Sequence, residues 1–300
     1  SPHLLEPQQR SCADRNNRSI ICISHDGVSS ATVLKEDVPL ALEWLSGREE
    51  NMTFLDRAAS LSVMSISLAY FCSPARAVEQ DTSTLCFALE KADISASKIT
   101  LPTTGAEVIS TTLIKDSDQS NQNGEYCKII GKTKPVDPKA PDIVWQVNLP
   151  TAWNGKLLQY GGGGYNGSVP PTTDKTTLGL DVAPTPLAQG YVTFGSDSGH
   201  QAPNADDASF AKNDEAMLNY GYMHIKKTLD VAKVLVQKRY NKPISRVYFQ
   251  GGSTGGREGL TAASRWPDAY DGILTNYPTA NFVGLRLWGA GLARAVYDDS

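Results

Sequence analysis

The sequence predicts an α/β protein built on a mostly parallel sheet. Three observations lead there: short β-rich apolar runs bounded by turn residues, helical stretches alternating with the later runs, and one strand that passes through glycines straight into a helix. The strand candidates are Tyr126–Ile130, Ile143–Leu149, Lys156–Tyr160, Tyr191–Phe194, Val247–Gln250 and Gly272–Leu274.

The early runs are separated by turns such as Lys134-Pro135-Val136-Asp137-Pro138 and read as an antiparallel lead-in. Between the fourth and fifth runs, Asn213 to Arg239 carries Met217, Tyr220, Ile225, Leu229, Ala232 and Val236 at near-helical spacing. After the fifth run, Arg257 to Ser264 continues as a helix. Strands that alternate with helices in this way make βαβ units and parallel pairs.

Composition bounds the class. Of 300 residues, 40% are hydrophobic and 20% charged, which is enough apolar content for a sizeable core and too little charge bias for disorder. A formal charge of −4 with no long basic run excludes a nucleic-acid partner.

The first methionine is Met52. It opens a segment with Arg57, an apolar stretch from Ala58 to Phe71 and small residues at Ala75 and Ala77, the pattern of an export signal over residues 52–77. A membrane anchor needs about 20 apolar residues, whereas Ser62, Ser65 and Ser67 interrupt this shorter run. A secreted product, extracellular or periplasmic, with no membrane anchor is therefore expected. Residues 1–51 precede that start, lack apolar periodicity and read as an upstream extension or tail. From Val78 onward no repeat, low-complexity stretch or linker divides the chain, so 78–300 reads as one domain. Cys86 and Cys127 are the cysteines left after the signal; in an exported chain they form one disulfide, the alternative being two buried thiols.

The chemistry concentrates in Gly251-Gly252-Ser253-Thr254-Gly255-Gly256, which follows the strand Arg246–Gln250 and runs into the helix beginning at Arg257. Strand, G-x-S-x-G, helix is the arrangement of a nucleophile elbow. Small flanking residues let strand and helix approach while the serine oxygen stays exposed above the sheet. This makes Ser253 the candidate nucleophile of an α/β-hydrolase fold, with the Thr254 N–H as one oxyanion donor. A second donor must come from an early loop, and the glycine run Gly161 to Gly164 after the third strand supplies it, with Gly162 and Gly163 as candidates. The loop lacks the Lys-Ser/Thr of a phosphate cradle. Asp197 and His200, in Thr193-Phe194-Gly195-Ser196-Asp197-Ser198-Gly199-His200, are either site-shaping residues or turn stabilisers. His224 reads as an ordinary helix residue, no metal-ligand spacing accompanies the histidines, and the Asn166-Gly167-Ser168 sequon reads as a chance match.

In this fold the carboxylate and the histidine follow the nucleophile. The histidines are His3, His25, His200 and His224, all before Ser253. Two explanations follow: the sequence is the N-terminal half of a longer enzyme, with the last strands beyond residue 300, or His200 acts in a rearranged triad.

Taken together, Gly161 to Gly167, Ser196 to His200, Asn219-Tyr220-Gly221-Tyr222 and Gly252 to Leu260 resemble the tannase and feruloyl esterase family, which includes enzymes cleaving small aromatic esters. The resemblance implies a serine hydrolase of phenolic-acid esters that needs no catalytic cofactor. It also implies a lid inserted after the strand near Ile273 and beginning near 277–300, a structural calcium in that lid, and a disulfide between Cys86 and Cys127. Gly252 departs from the family, which has a cysteine there bonded to one beside the catalytic histidine. The rival readings are a general carboxylesterase or peptidase of the same fold, and an inactive, binding-only homologue.

Overall fold

The computed structural model describes residues 10–13, 19–25, 28–34, 82–175, 184–202 and 207–297. The expected export signal at 52–77 lies outside them. The sheet is mixed. Its antiparallel part is β4 (Asp93–Ile94), β5 (Gly105–Ile114), β6 (Tyr126–Lys134) and β7 (Ile143–Pro150). Its parallel part is β8 (Lys156–Tyr160), β9 (Val192–Ser196), β10 (Arg246–Gly252) and β11 (Gly272–Asn276). The strand order β4-β5-β6-β7-β9-β8-β10-β11 joins the two parts through the antiparallel β7–β9 pair. Every expected strand is present, and the antiparallel lead-in precedes the parallel strands as the turns implied.

Within residues 1–51, whose reading as an upstream extension or tail is a separate matter, the described residues form three strands: β1 (Arg10–Ala13), β2 (Ser19–His25) and β3 (Val28–Leu34). β3 pairs antiparallel with β11. Pairing with β3 gives the outer side of β11 a ladder partner where it would otherwise be an edge.

β5 was not anticipated. A bulge between Val108 and Ser110 breaks its alternation and leaves Ile109 52% exposed, so no clean two-residue period is left to read. The long helix also differs from expectation. α2 (Asp214–Leu218) and α3 (His224–Tyr240) are joined by a π-helical turn, Asn219–Met223. A π turn holds extra residues, so an apolar stripe drawn at uniform spacing slips across it. Met217 accordingly sits outside, 44% exposed, while Ile225, Leu229, Ala232 and Val236 are all fully buried against the sheet. They pack on Trp145, Val147, Leu157, Phe194 and Phe249 in the main core. Each large aliphatic buried this way stabilises the fold by about 1.5–3 kcal/mol.

α1 (Thr82–Phe87) is tied to β6 by the Cys86–Cys127 disulfide, with Cα atoms 5.5 Å apart. α4 (Thr254–Arg265) follows β10 directly, and α5 (Phe282–Tyr297) follows β11 after a short loop. Among the described residues no helix is long and apolar enough to cross a membrane.

Candidate active site

β10 ends at Gly252, α4 begins at Thr254, and Ser253 is the whole turn between them, with φ 55° and ψ −119°. A side chain in this region is strained, and it persists only where surrounding bonds hold it. They do: the Ser253 N–H donates to the Asn276 carbonyl at 3.1 Å, and the Ser253 carbonyl accepts from Arg257 and Thr279, each at 3.1 Å.

The flanking glycines are required by contact. A Cβ at Gly251 would lie 2.5 Å from the Gly255 carbonyl, and one at Gly161 would lie 2.6 Å from Gly255 Cα. The start of α4 therefore rests on bare backbone of β10 on one side and of the β8 loop on the other. The loop is bonded to the elbow as well, because Gly255 N–H donates to the Gly162 carbonyl at 2.9 Å and Thr254 Oγ1 donates to the Gly164 carbonyl at 2.6 Å. A Cβ at Gly252 would meet the Tyr277 ring at 2.8 Å, so that aromatic occupies the space beside the departure from the family pattern.

Of the two loop donors expected from the sequence, Gly162 and Gly163, the first is engaged elsewhere. Its N–H already donates to Glu258 Oε2 at 3.0 Å, inside the protein. Gly163 is exposed, and neither its N–H nor that of Thr254 is bonded to another described residue.

Asp197 and His200 are held by partners around the glycine loop, and neither is hydrogen-bonded to Ser253 among the described residues. Asp197 is 2% exposed; its carboxylate accepts from Val144 N–H at 3.0 Å, Gly199 N–H at 2.9 Å and Gln201 Nε2 at 2.6 Å. That is a turn-stabilising arrangement for the left-handed pair Ser198 and Gly199. Burial pushes the Asp197 carboxyl up to about 7, against the pull of its donors Gln201, Gly199 and Val144. The Asp197 carbonyl in turn accepts from Gly167 N–H at 3.1 Å, joining this turn to the glycine loop. His200 stacks on Phe210 with ring centres 4.0 Å apart, and burial holds its imidazole below the ordinary range. No hydrogen bond joins it to Ser253 among the described residues.

Sequence reasoning missed Glu258. It is 1% exposed on α4, beneath the glycine loop, and 3.4 Å from the buried His224. Its position gave a readable signal: Gly255, Glu258, Gly259 and Ala262 follow i, i+3, i+4, i+7 spacing, and all four are buried. The described residues hold no group of three or more His, Cys, Asp or Glu that could bind a metal, so nothing in them fits the calcium the resemblance implies.

A strained serine between a parallel strand and a helix, with a glycine loop bonded across it at the carboxyl end of the sheet, places this fold in the α/β-hydrolase class. The chain belongs to the tannase and feruloyl esterase family, whose family model matches residues 127–300. It is 77% identical over 252 residues to an uncharacterized esterase of Agrobacterium fabrum, covering 84% of this chain and 46% of that protein. It is 29% identical to the mono(2-hydroxyethyl) terephthalate hydrolase of Piscinibacter sakaiensis, covering 57% of this chain and 29% of the other. Feruloyl esterase B of Aspergillus oryzae, a solved structure, is 24% identical with a TM-score of 0.48 over 64% of this chain and 36% of its own. The chain thus spans less than half the length of these relatives.

Proposed function

We propose that this chain carries the nucleophile half of a secreted carboxylic ester hydrolase acting on esters of aromatic, phenolic acids. The observation that carries the reading is Ser253 at φ 55° between β10 and α4. In the proposed reaction Ser253 Oγ bonds to the ester carbonyl carbon while its proton passes to a histidine base. The Thr254 and Gly163 N–H groups donate to the oxyanion, the alcohol leaves with that proton, and water then releases the acid from the acyl enzyme. The histidine and its carboxylate are assigned to the part of the natural protein that follows residue 300, together with a lid that grips the aromatic ring. The base is not assigned to His200, because no hydrogen bond joins it to Ser253 among the described residues and its Nδ1 faces Ser198 Oγ at 3.5 Å.

Export with cleavage after Ala77 is part of the proposal, and the Cys86–Cys127 disulfide supports it, since such bonds persist in oxidising compartments. The substrate class rests on the family. It is tested by turnover of methyl ferulate, methyl gallate, p-nitrophenyl acetate and a matched anilide by the full-length protein. Higher kcat/KM on the aromatic-acid esters is expected; equal rates on the acetate would indicate a general carboxylesterase, and cleavage of the anilide a peptidase.

A further inference from the structure

Beneath the glycine loop lies a buried polar network that the acyl-transfer step does not employ. Glu258 Oε2 accepts from Gly162 N–H at 3.0 Å, and Oε1 accepts from Asn166 Nδ2 at 2.7 Å. On the far side, His224 Nε2 lies 3.4 Å from Oε1, and its Nδ1 is 3.1 Å from Ser196 Oγ at the end of β9. Asn166 has φ 61°, which folds its side chain back under the loop. A Cβ at Gly162 would fall 2.0 Å from Asn166 Oδ1, so only glycine fits above it.

Burying a carboxylate costs several kcal/mol unless donors meet it, and an apolar side chain would fill this space at lower cost. What the carboxylate adds is grip at two points. It holds residues 162 and 166 of one loop, on either side of Gly163, and anchors both to α4, the helix that carries the elbow. The remaining constraint is the Gly162 carbonyl, fixed by Gly255 N–H at 2.9 Å. In a trans peptide the N–H points opposite to the C=O. The Gly162 N–H belongs to the 161–162 peptide and its carbonyl to the 162–163 peptide, so Glu258 and Gly255 N–H together hold the planes on both sides of Gly162 and with them the direction of the Gly163 N–H.

We propose that Glu258 is a positioning residue for the oxyanion loop, working with Asn166 and braced by His224, so that the loop donor and the nucleophile are carried by one rigid unit. This rests on the reading of Ser253 and the loop as an acyl-transfer site. Such a residue acts on the transition state and not on substrate binding, so its loss lowers kcat and leaves KM in place.

The test is steady-state kinetics of the full-length protein on its best ester, with Ser253→Ala, Glu258→Gln and Asn166→Gly variants whose folding is checked by circular dichroism. A glutamine cannot accept from both Gly162 and Asn166, and the expected result is a kcat lower by about 100-fold, as for a small misplacement of a catalytic group, with KM unchanged. Glycine keeps the left-handed backbone at position 166 and removes one tether, so Asn166→Gly is expected to fold and to lose kcat by a smaller factor. Should Glu258→Gln not fold, Asn166→Gly decides. Unchanged kcat in either folded variant, or a raised KM at intact kcat, overturns the assignment. Full activity in Ser253→Ala would sink the site reading itself, which separates the two failures.

Discussion

Ser253 occupies a conformation that costs a non-glycine residue about 1–3 kcal/mol, and the backbone bonds from Asn276, Arg257 and Thr279 offset it. The residue was legible in the sequence because the motif demands glycines at the contacts the structure displays. Glu258 was missed although it shares the buried i, i+3, i+4, i+7 stripe of α4, since a lone glutamate in a helix ordinarily reads as solvated, and its partners Gly162, Asn166 and His224 are far from it in sequence. Burial alone would raise its carboxyl, but His224, Asn166 and the Gly162 N–H outweigh burial and hold it below 4.5. A folded-state value below the unfolded one means that Glu258 contributes stability fully present above pH 4.5 and lost as pH falls through its folded value. Asp197 works in the opposite direction: raised to about 7 from 3.8, its contribution is lost as pH rises between those values. Thermal melts across pH should therefore show Glu258→Gln destabilised most above 4.5, with the gap to wild type narrowing in acid. A gap that stays constant with pH would contradict the ionised state.

At the scale of elements, strands whose runs are continuous and apolar were readable, and those interrupted by geometry were not. β5 lost its period to a bulge, and α5 carries Gly284, Gly289 and Gly291, poor helix formers that mask a 16-residue helix. The α2–α3 segment was read as one helix because hydrophobic spacing is blind to a π turn. This difference can be measured. Leu229→Ala, in the buried stripe, should cost about 2–5 kcal/mol in urea unfolding. Met217→Ala, on the near side of the turn and 44% exposed, should change stability by less than about 0.5 kcal/mol. Comparable losses at both positions would mean that one continuous apolar face runs through the π turn after all.

For the molecule as a whole, the sequence conveyed alternation of strand and helix but not strand order. Order is decided by crossovers, and the place of β9 between β7 and β8 has no local signal. That crossover brings the loops after β8, β9 and β10 to one end of the sheet, where the glycine run, the Asp197 turn and Ser253 meet through hydrogen bonds. Beyond them, α5 presents Val283, Leu287, Trp288 and Tyr297 at 65% exposure or more. The central claim is that this end of the sheet holds a serine nucleophile. The most direct test is to treat the full-length protein with a fluorophosphonate probe and map the adduct by peptide mass spectrometry. The account predicts a single adduct on Ser253, absent from Ser253→Ala; a protein with detectable esterase activity that stays unlabelled, or carries the label on another serine, would contradict it.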